Sequence, residues 1–180
     1  MNITIISGSQ NPESLTIRVA THLQERLNEL YPGNHISILD VRAYEIPLDI
    51  TVYHPDREHL AALSDLIKSI YATDAFILLS PEYNGCYTPA LKNLLNHFPK
   101  FLHKPVGIVT ASDGKLGGLR AAQQLQLLTV AHFGVPSATM LIVPQVHLLF
   151  EENGHLLDTK FEKQVNIFLE EFMWLARKLA

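Results

Sequence analysis

The chain has a single cysteine, Cys86, which rules out an internal disulfide and a zinc site built from cysteines. It has no apolar run approaching the length that crosses a bilayer, and Met1-Asn2-Ile3-Thr4-Ile5-Ile6 enters a strand pattern without a basic flank. The expected setting is therefore the cytoplasm, with no membrane partner. Positive charge is also sparse. Fourteen Lys and Arg against 18 Asp and Glu leave a net charge of -4, too little basic surface for nucleic acid to be the main partner. Nine histidines are scattered without an H-E-x-x-H motif or a helical i,i+4 pair, so no metal site is expected. Neither G-x-x-x-x-G-K-[ST] nor G-x-G-x-x-G occurs, which disfavours a Walker loop and a dinucleotide-type turn. No repeat, low-complexity segment or linker is present.

What remains is 180 residues with 47% hydrophobic and 18% charged content, enough for one soluble domain over 1–180 with a sizeable core. Short apolar runs at 3–6, 35–39, 75–79, 106–110 and 138–143 read as strands. Between them run helical stripes: Leu15, Val19, Leu23, Leu27 and Leu30, then Leu60, Leu63, Ile67 and Ile70, then Leu91, Leu94, Leu95 and Phe98. A fourth helix follows Gly118 and runs to about His132, where Gly134 and Pro136 end it; Phe161, Val165, Phe168, Phe172 and Leu175 mark a last one able to cover a sheet face. Asn11 is expected to cap the first helix with Pro12 opening it, and Ile46-Pro47 and His54-Pro55 punctuate the second connection. Strand and helix alternate five times and the strands are apolar on both faces, the pattern of an α/β protein with a parallel sheet between two helical layers.

In such a sheet the turns at the carboxyl ends of strands form the ligand crevice. The first turn offers Ser7, Ser9, Asn11, Ser14 and Thr16 around a helix amino terminus, a setting that suits a phosphate; simple capping would use the same residues, and Glu13 would repel an anion. The second, Ser80-Pro81-Glu82-Tyr83-Asn84-Gly85, has a flat aromatic and an amide for the edge of a heteroaromatic ring. As an ordinary loop it would hold a half-buried Tyr83, a turn residue in Asn84 and a solvated Glu82. The third, from Ser112 to Gly118, lets backbone approach a flat ligand or serves as a plain bend.

Taken together, three stretches resemble the NAD(P)H-dependent FMN reductase family of the flavodoxin-like superfamily. They are Gly8-Ser9 with Ser14, the Ser80 to Gly85 hexapeptide leading to Leu91-Lys92-Asn93, and Leu116-Gly117-Gly118-Leu119-Arg120. The resemblance implies a flavodoxin-like three-layer αβα sandwich with a five-stranded parallel sheet in the order 2-1-3-4-5. It implies FMN with its phosphate at Ser9, Gln10, Asn11, Ser14 and Thr16, its ribityl chain and ring at Pro81, Glu82, Tyr83, Asn84 and Gly85, and the ring flanked by Ser112, Asp113, Gly114 and Gly117. It further implies NADPH or NADH as donor, a small acceptor such as a free flavin, quinone, azo compound or metal oxyanion, ping-pong turnover without a protein acid or base, and a homodimer or homotetramer.

The family often carries arginine where this chain has Asn11, so weaker FMN binding is expected, with Arg18 the nearest cation in sequence. Lys115 and Arg120 are candidates for a 2′-phosphate, and Cys86 beside the second turn is either a redox-sensitive thiol or inert. The helix after Gly118 carries Leu119, Leu125, Leu127, Leu128, Val130 and Phe133 over more of its circumference than one buried face needs, which means a deep core or a subunit contact. The competing reading is a flavodoxin-like electron carrier without a nicotinamide site, although such carriers tend to be strongly acidic around the flavin and this chain is only mildly so.

Overall fold

The computed structural model of the chain describes residues 1–48 and 63–179. Five parallel strands, β1 (Asn2–Ser7), β2 (His35–Asp40), β3 (Ala75–Ser80), β4 (Pro105–Ala111) and β5 (Val135–Val143), form one sheet in the order β2-β1-β3-β4-β5. In register, Ile5 lies between Ile38 and Ile77, and Leu78 pairs with Ile108. Among the described residues six α-helices accompany the sheet: α1 (Thr16–Leu30), α2 (Ser64–Tyr71), α3 (Pro89–Asn96), α4 (Leu119–Ala131), the single turn α5 (Val146–Leu149) and α6 (Thr159–Leu179). This is the expected flavodoxin-like arrangement. Strand order reverses between β1 and β3, so the crevice of the fold opens beyond their carboxyl ends.

Alternate residues of each strand feed two cores. Ile3, Ile5, Ile77, Leu79 and Val109 meet α1 and α6, whereas Ile6, Phe76, Leu78, Val106 and Ile108 meet α2, α3 and α4. Every residue of β3 and β4 is buried, which accounts for their unbroken apolar runs. Thr4 is polar in the middle of β1, and its hydroxyl is satisfied by Thr73 (2.7 Å) and Ser37 (3.1 Å). Gly107 makes room for α6: a Cβ there would lie 2.9 Å from Phe168 Cζ and 3.1 Å from Phe172 Cδ2.

Three boundaries differ from expectation. First, α1 starts at Thr16, not at Pro12 under an Asn11 cap. Asn11 Oδ1 accepts the Glu13 N–H (3.0 Å) and the Asn11 carbonyl accepts the Ser14 N–H (3.0 Å), so these residues close a turn of their own before the helix begins. Second, Pro136 lies inside β5 and does not terminate the preceding helix; β5 is an edge strand, where proline needs no ladder partner. The register against β4 shifts between Val106, opposite Pro136, and Ile108, opposite Met140, a bulge that absorbs the extra residues. Third, the second helix begins at Ser64; Leu60 of its expected stripe and His54-Pro55 lie outside the described residues. Among the described residues no helix is long and apolar enough to cross a membrane, and no cluster of three His, Cys, Asp or Glu can hold a metal.

Candidate functional site

The turns after β1, β3 and β4 are bolted to one another. Gly8 N–H donates to the Leu79 carbonyl (2.8 Å), and the Thr88 hydroxyl donates to the Gly8 carbonyl while accepting from Leu91 N–H (3.2 Å) as the cap of α3. That approach needs glycine, because a Cβ at Gly8 would sit 2.9 Å from Leu91 Cβ and 3.1 Å from the Leu79 oxygen. Ser80 Oγ accepts Thr88 N–H (3.1 Å) and donates to the Pro81 carbonyl (2.9 Å), closing the second turn at its base. At the tip, Tyr83 and Cys86 exchange both backbone hydrogen bonds (2.8 and 3.1 Å) around Asn84 (φ 52°) and Gly85 (φ 81°). Two successive positive φ values make an Asn-Gly turn of the type I′ kind, so Asn84 has the turn role its composition allowed.

Glu82 is not a solvated charge. Its Oε2 accepts the backbone N–H groups of Arg120 (3.1 Å) and Ala121 (3.3 Å), and its Oε1 lies 3.3 Å from Arg120 Nη1. It thereby caps α4 from another turn, since Gly118 at the α4 N-cap has no side chain to do so. The third turn is tied to β5 and α5: Ser112 N–H donates to Val143, Val146 N–H to Ser112, and His147 Nδ1 lies 2.9 Å from Asp113 Oδ1. Gly117, at φ 61°, is held by β5, because a Cβ there would meet Ile142 Cγ2 at 2.6 Å.

These turns enclose a cavity of about 840 Å³, within the range typical of small-molecule sites. Of the expected residues, Ser9, Asn11, Ser14 and Thr16 line it from the first turn, Pro81, Glu82 and Tyr83 from the second, and Ser112 and Asp113 from the third. Gln10, Asn84, Gly85, Gly114 and Gly117 belong to the same turns but stand outside that lining. Tyr83 is 40% exposed, so its ring offers a face to a ligand without anchoring the core. Ser9 and Ser14 are 2% and 8% exposed, and both hydroxyls act as acceptors, from Asn11 N–H (3.4 Å) and Thr16 N–H (3.2 Å). Their O–H protons have no acceptor among the described residues, so they can donate to an anion beside the amino terminus of α1. Ser7 Oγ and Thr110 Oγ1, near the carboxyl ends of β1 and β4, are likewise buried without a partner.

Sequence reasoning missed Arg42. It follows β2, a fourth strand whose carboxyl end borders the crevice, and its position after Asp40 was the available signal. Its Nε and Nη2 grip the Asp40 carboxylate (2.9 and 2.6 Å), which raises its pKa above the ordinary value, and Nη1 donates to the Pro12 carbonyl (3.0 Å). Arg42 is thus a strut that holds the first turn. Val146 and Glu152, from the segment after β5, also line the cavity. Lys115 and Arg120 do not; Arg120 is engaged by Glu82.

Residues 1–148 match the profile of the family described as NADPH-dependent FMN reductase. A curated NAD(P)H-dependent FMN reductase from Pseudomonas aeruginosa is 29% identical over 97% of this chain and 94% of its own length. An FMN-dependent NADPH-azoreductase from Staphylococcus aureus is 28% identical over 94% of this chain and 92% of its own. Among solved structures, a flavoenzyme NAD(P)H:acceptor oxidoreductase from Paracoccus denitrificans has the same fold, with a TM-score of 0.78 at 20% identity over 99% of this chain and 98% of that one.

Proposed function

The chain belongs to the NADPH-dependent FMN reductase family, and from that premise we propose that it is a cytoplasmic flavoenzyme that takes electrons from NADPH or NADH and passes them in pairs to a small acceptor. The acceptor is a free flavin, quinone, azo compound or metal oxyanion, and donor and acceptor use the same cavity in turn. The FMN supplies the chemistry when bound, accepting a hydride and releasing two electrons. The residues present fit that group. Ser9, Ser14 and Thr16, with the α1 amino terminus and the Asn11 amide, would hold the phosphate. Pro81 and Tyr83 would support the ribityl chain and ring, and Ser112 and Asp113 would border the ring from the third turn. Gln10, Asn84, Gly85, Gly114 and Gly117 would shape the backbone behind these contacts.

One observation carries this reading: two buried serine hydroxyls with undonated protons stand at a helix amino terminus, in the same cavity as an exposed tyrosine face. The protein's own part is orientation and access. Glu82 and Thr88 fix the second turn against the other two, so the tyrosine ring meets a ligand without a reorganisation step. No side chain is required as general acid or base. We further propose a homodimer or homotetramer, supported by the exposure of Leu119, Leu127, Val130 and Phe133 on and beside α4, which a single chain leaves in water.

Initial-rate plots against NADPH at several quinone concentrations are expected to give parallel lines, the pattern of one site serving two half-reactions. Intersecting lines would require donor and acceptor to be bound together and would overturn the shared site.

A further inference from the structure

One cation in the cavity wall stands where a helix disfavours it. Arg18 is the third residue of α1, whose first turn has no acidic side chain to offset it. The partial positive charge of a helix amino terminus makes a cation there unfavourable unless an anion is also present. Arg18 is also thinly partnered. Its Nη1 donates to the Phe150 carbonyl (3.1 Å), while Nη2 lies 3.8 Å from the carboxylate of Glu152, beyond hydrogen-bond distance, and that glutamate side chain is 93% exposed. Arg42, the other cation lining the cavity, differs in this respect: its guanidinium is taken up by Asp40 and Pro12. Arg18, Ser9 and Ser14 line one cavity, and the two serines have undonated hydroxyl protons.

We infer that Arg18 is the cation that neutralises the phosphate of the bound flavin, leaving Glu152 as the phosphate enters. The inference rests on the FMN reading proposed above and adds to it a residue outside the expected set. A phosphate between the α1 amino terminus and the guanidinium removes the repulsion between those two positive groups and gives Arg18 a closer anion than the Glu152 carboxylate at 3.8 Å. It also places an arginine fork on phosphate although position 11 carries an asparagine. Glu152 then acts as a competitor, holding Arg18 loosely and resisting an incoming anion.

Flavin-fluorescence titration of the wild type, R18Q and E152Q with FMN and with riboflavin, which lacks the phosphate, tests this. Loss of one charge-assisted hydrogen bond predicts FMN binding weaker by about ten-fold or more in R18Q, with riboflavin binding unchanged. E152Q is expected to tighten FMN and leave riboflavin alone, and because Glu152 is almost wholly exposed this variant carries no folding penalty. Equal weakening of both flavins in R18Q would show that Arg18 acts through its Phe150 contact, and would overturn the inference. Unchanged FMN binding in R18Q would overturn it too, while leaving the FMN reading intact. If the wild type failed to prefer FMN to riboflavin, the phosphate site itself would fall and the inference with it.

Discussion

Replacing Glu82 with alanine removes a helix cap that comes from a residue 38 positions away. The carboxylate accepts the second and third N–H groups of α4, and its side chain is 15% exposed, so water replaces it poorly. Loss of a cap of this kind costs about 1–2 kcal/mol, and removing a negative charge from a helix amino terminus adds about 0.3–1 kcal/mol. The Arg120 ion pair adds little, because Arg120 is 66% exposed. A total near 2 kcal/mol should lower Tm by about 4–8 °C in a chain of this size. Urea denaturation followed by far-UV circular dichroism reads the same change as a lower midpoint at unchanged slope. Glu82→Gln keeps one accepting oxygen and loses the charge, so it should fall about midway. Because Glu82 also ties the second turn to the third, flavin affinity should fall in step with stability across the two variants. A Glu82→Ala protein with unaltered midpoint would refute the capping role, and a loss of flavin binding without a loss of stability would show that Glu82 acts on the ligand directly.

Two further predictions concern the core. His132 is buried beside Phe101, and burial, with repulsion from Lys100 and Lys92, pushes its pKa from 6.5 down to about 4. The folded state therefore resists protonation while the unfolded chain accepts it below pH 6.5, so stability is full above that pH and is lost as pH falls towards 4, by up to about 3 kcal/mol. His132→Leu should flatten the acid limb of a midpoint-against-pH curve, leaving the smaller slope of His22, which burial lowers in the same direction; an unchanged limb would show that His132 protonates freely when folded. Gly107→Ala should destabilise by about 1–3 kcal/mol through overpacking, because the added methyl meets Phe168 and Phe172. Phe168→Leu in the same chain should recover part of that loss, and a neutral Gly107→Ala would mean that α6 can shift outward at little cost.

Much of the fold could be read from the sequence because burial on both faces leaves an unbroken apolar run, as in Phe76-Ile77-Leu78-Leu79, and a helix over a sheet leaves a 3.6-residue stripe, as from Val19 to Leu27. The Asn84-Gly85 turn was legible for a local reason, the need for positive φ at two adjacent residues. What escaped were local signals with two outlets. Asn11-Pro12 is a good helix start, but the same asparagine can close a turn on Glu13 and Ser14, and here it does. Pro136 can end a helix or sit in an edge strand, and the choice depends on which strand lies at the sheet edge. Long-range partners were beyond local pattern altogether: the hold of Glu82 on α4, and that of Arg42 on Pro12, join turns far apart in sequence.

In the proposed function the cavity at the strand ends holds FMN and admits a nicotinamide against it. Its most direct test is anaerobic titration of the FMN-reconstituted protein with NADPH, in the absence of acceptor, followed by visible absorbance. Stoichiometric bleaching of the flavin band is expected, with its return when a quinone is added and with Tyr83→Ala bleaching more slowly than the wild type while keeping its fold. A bound flavin that NADPH and NADH both leave oxidised would rule out a nicotinamide-dependent reductase.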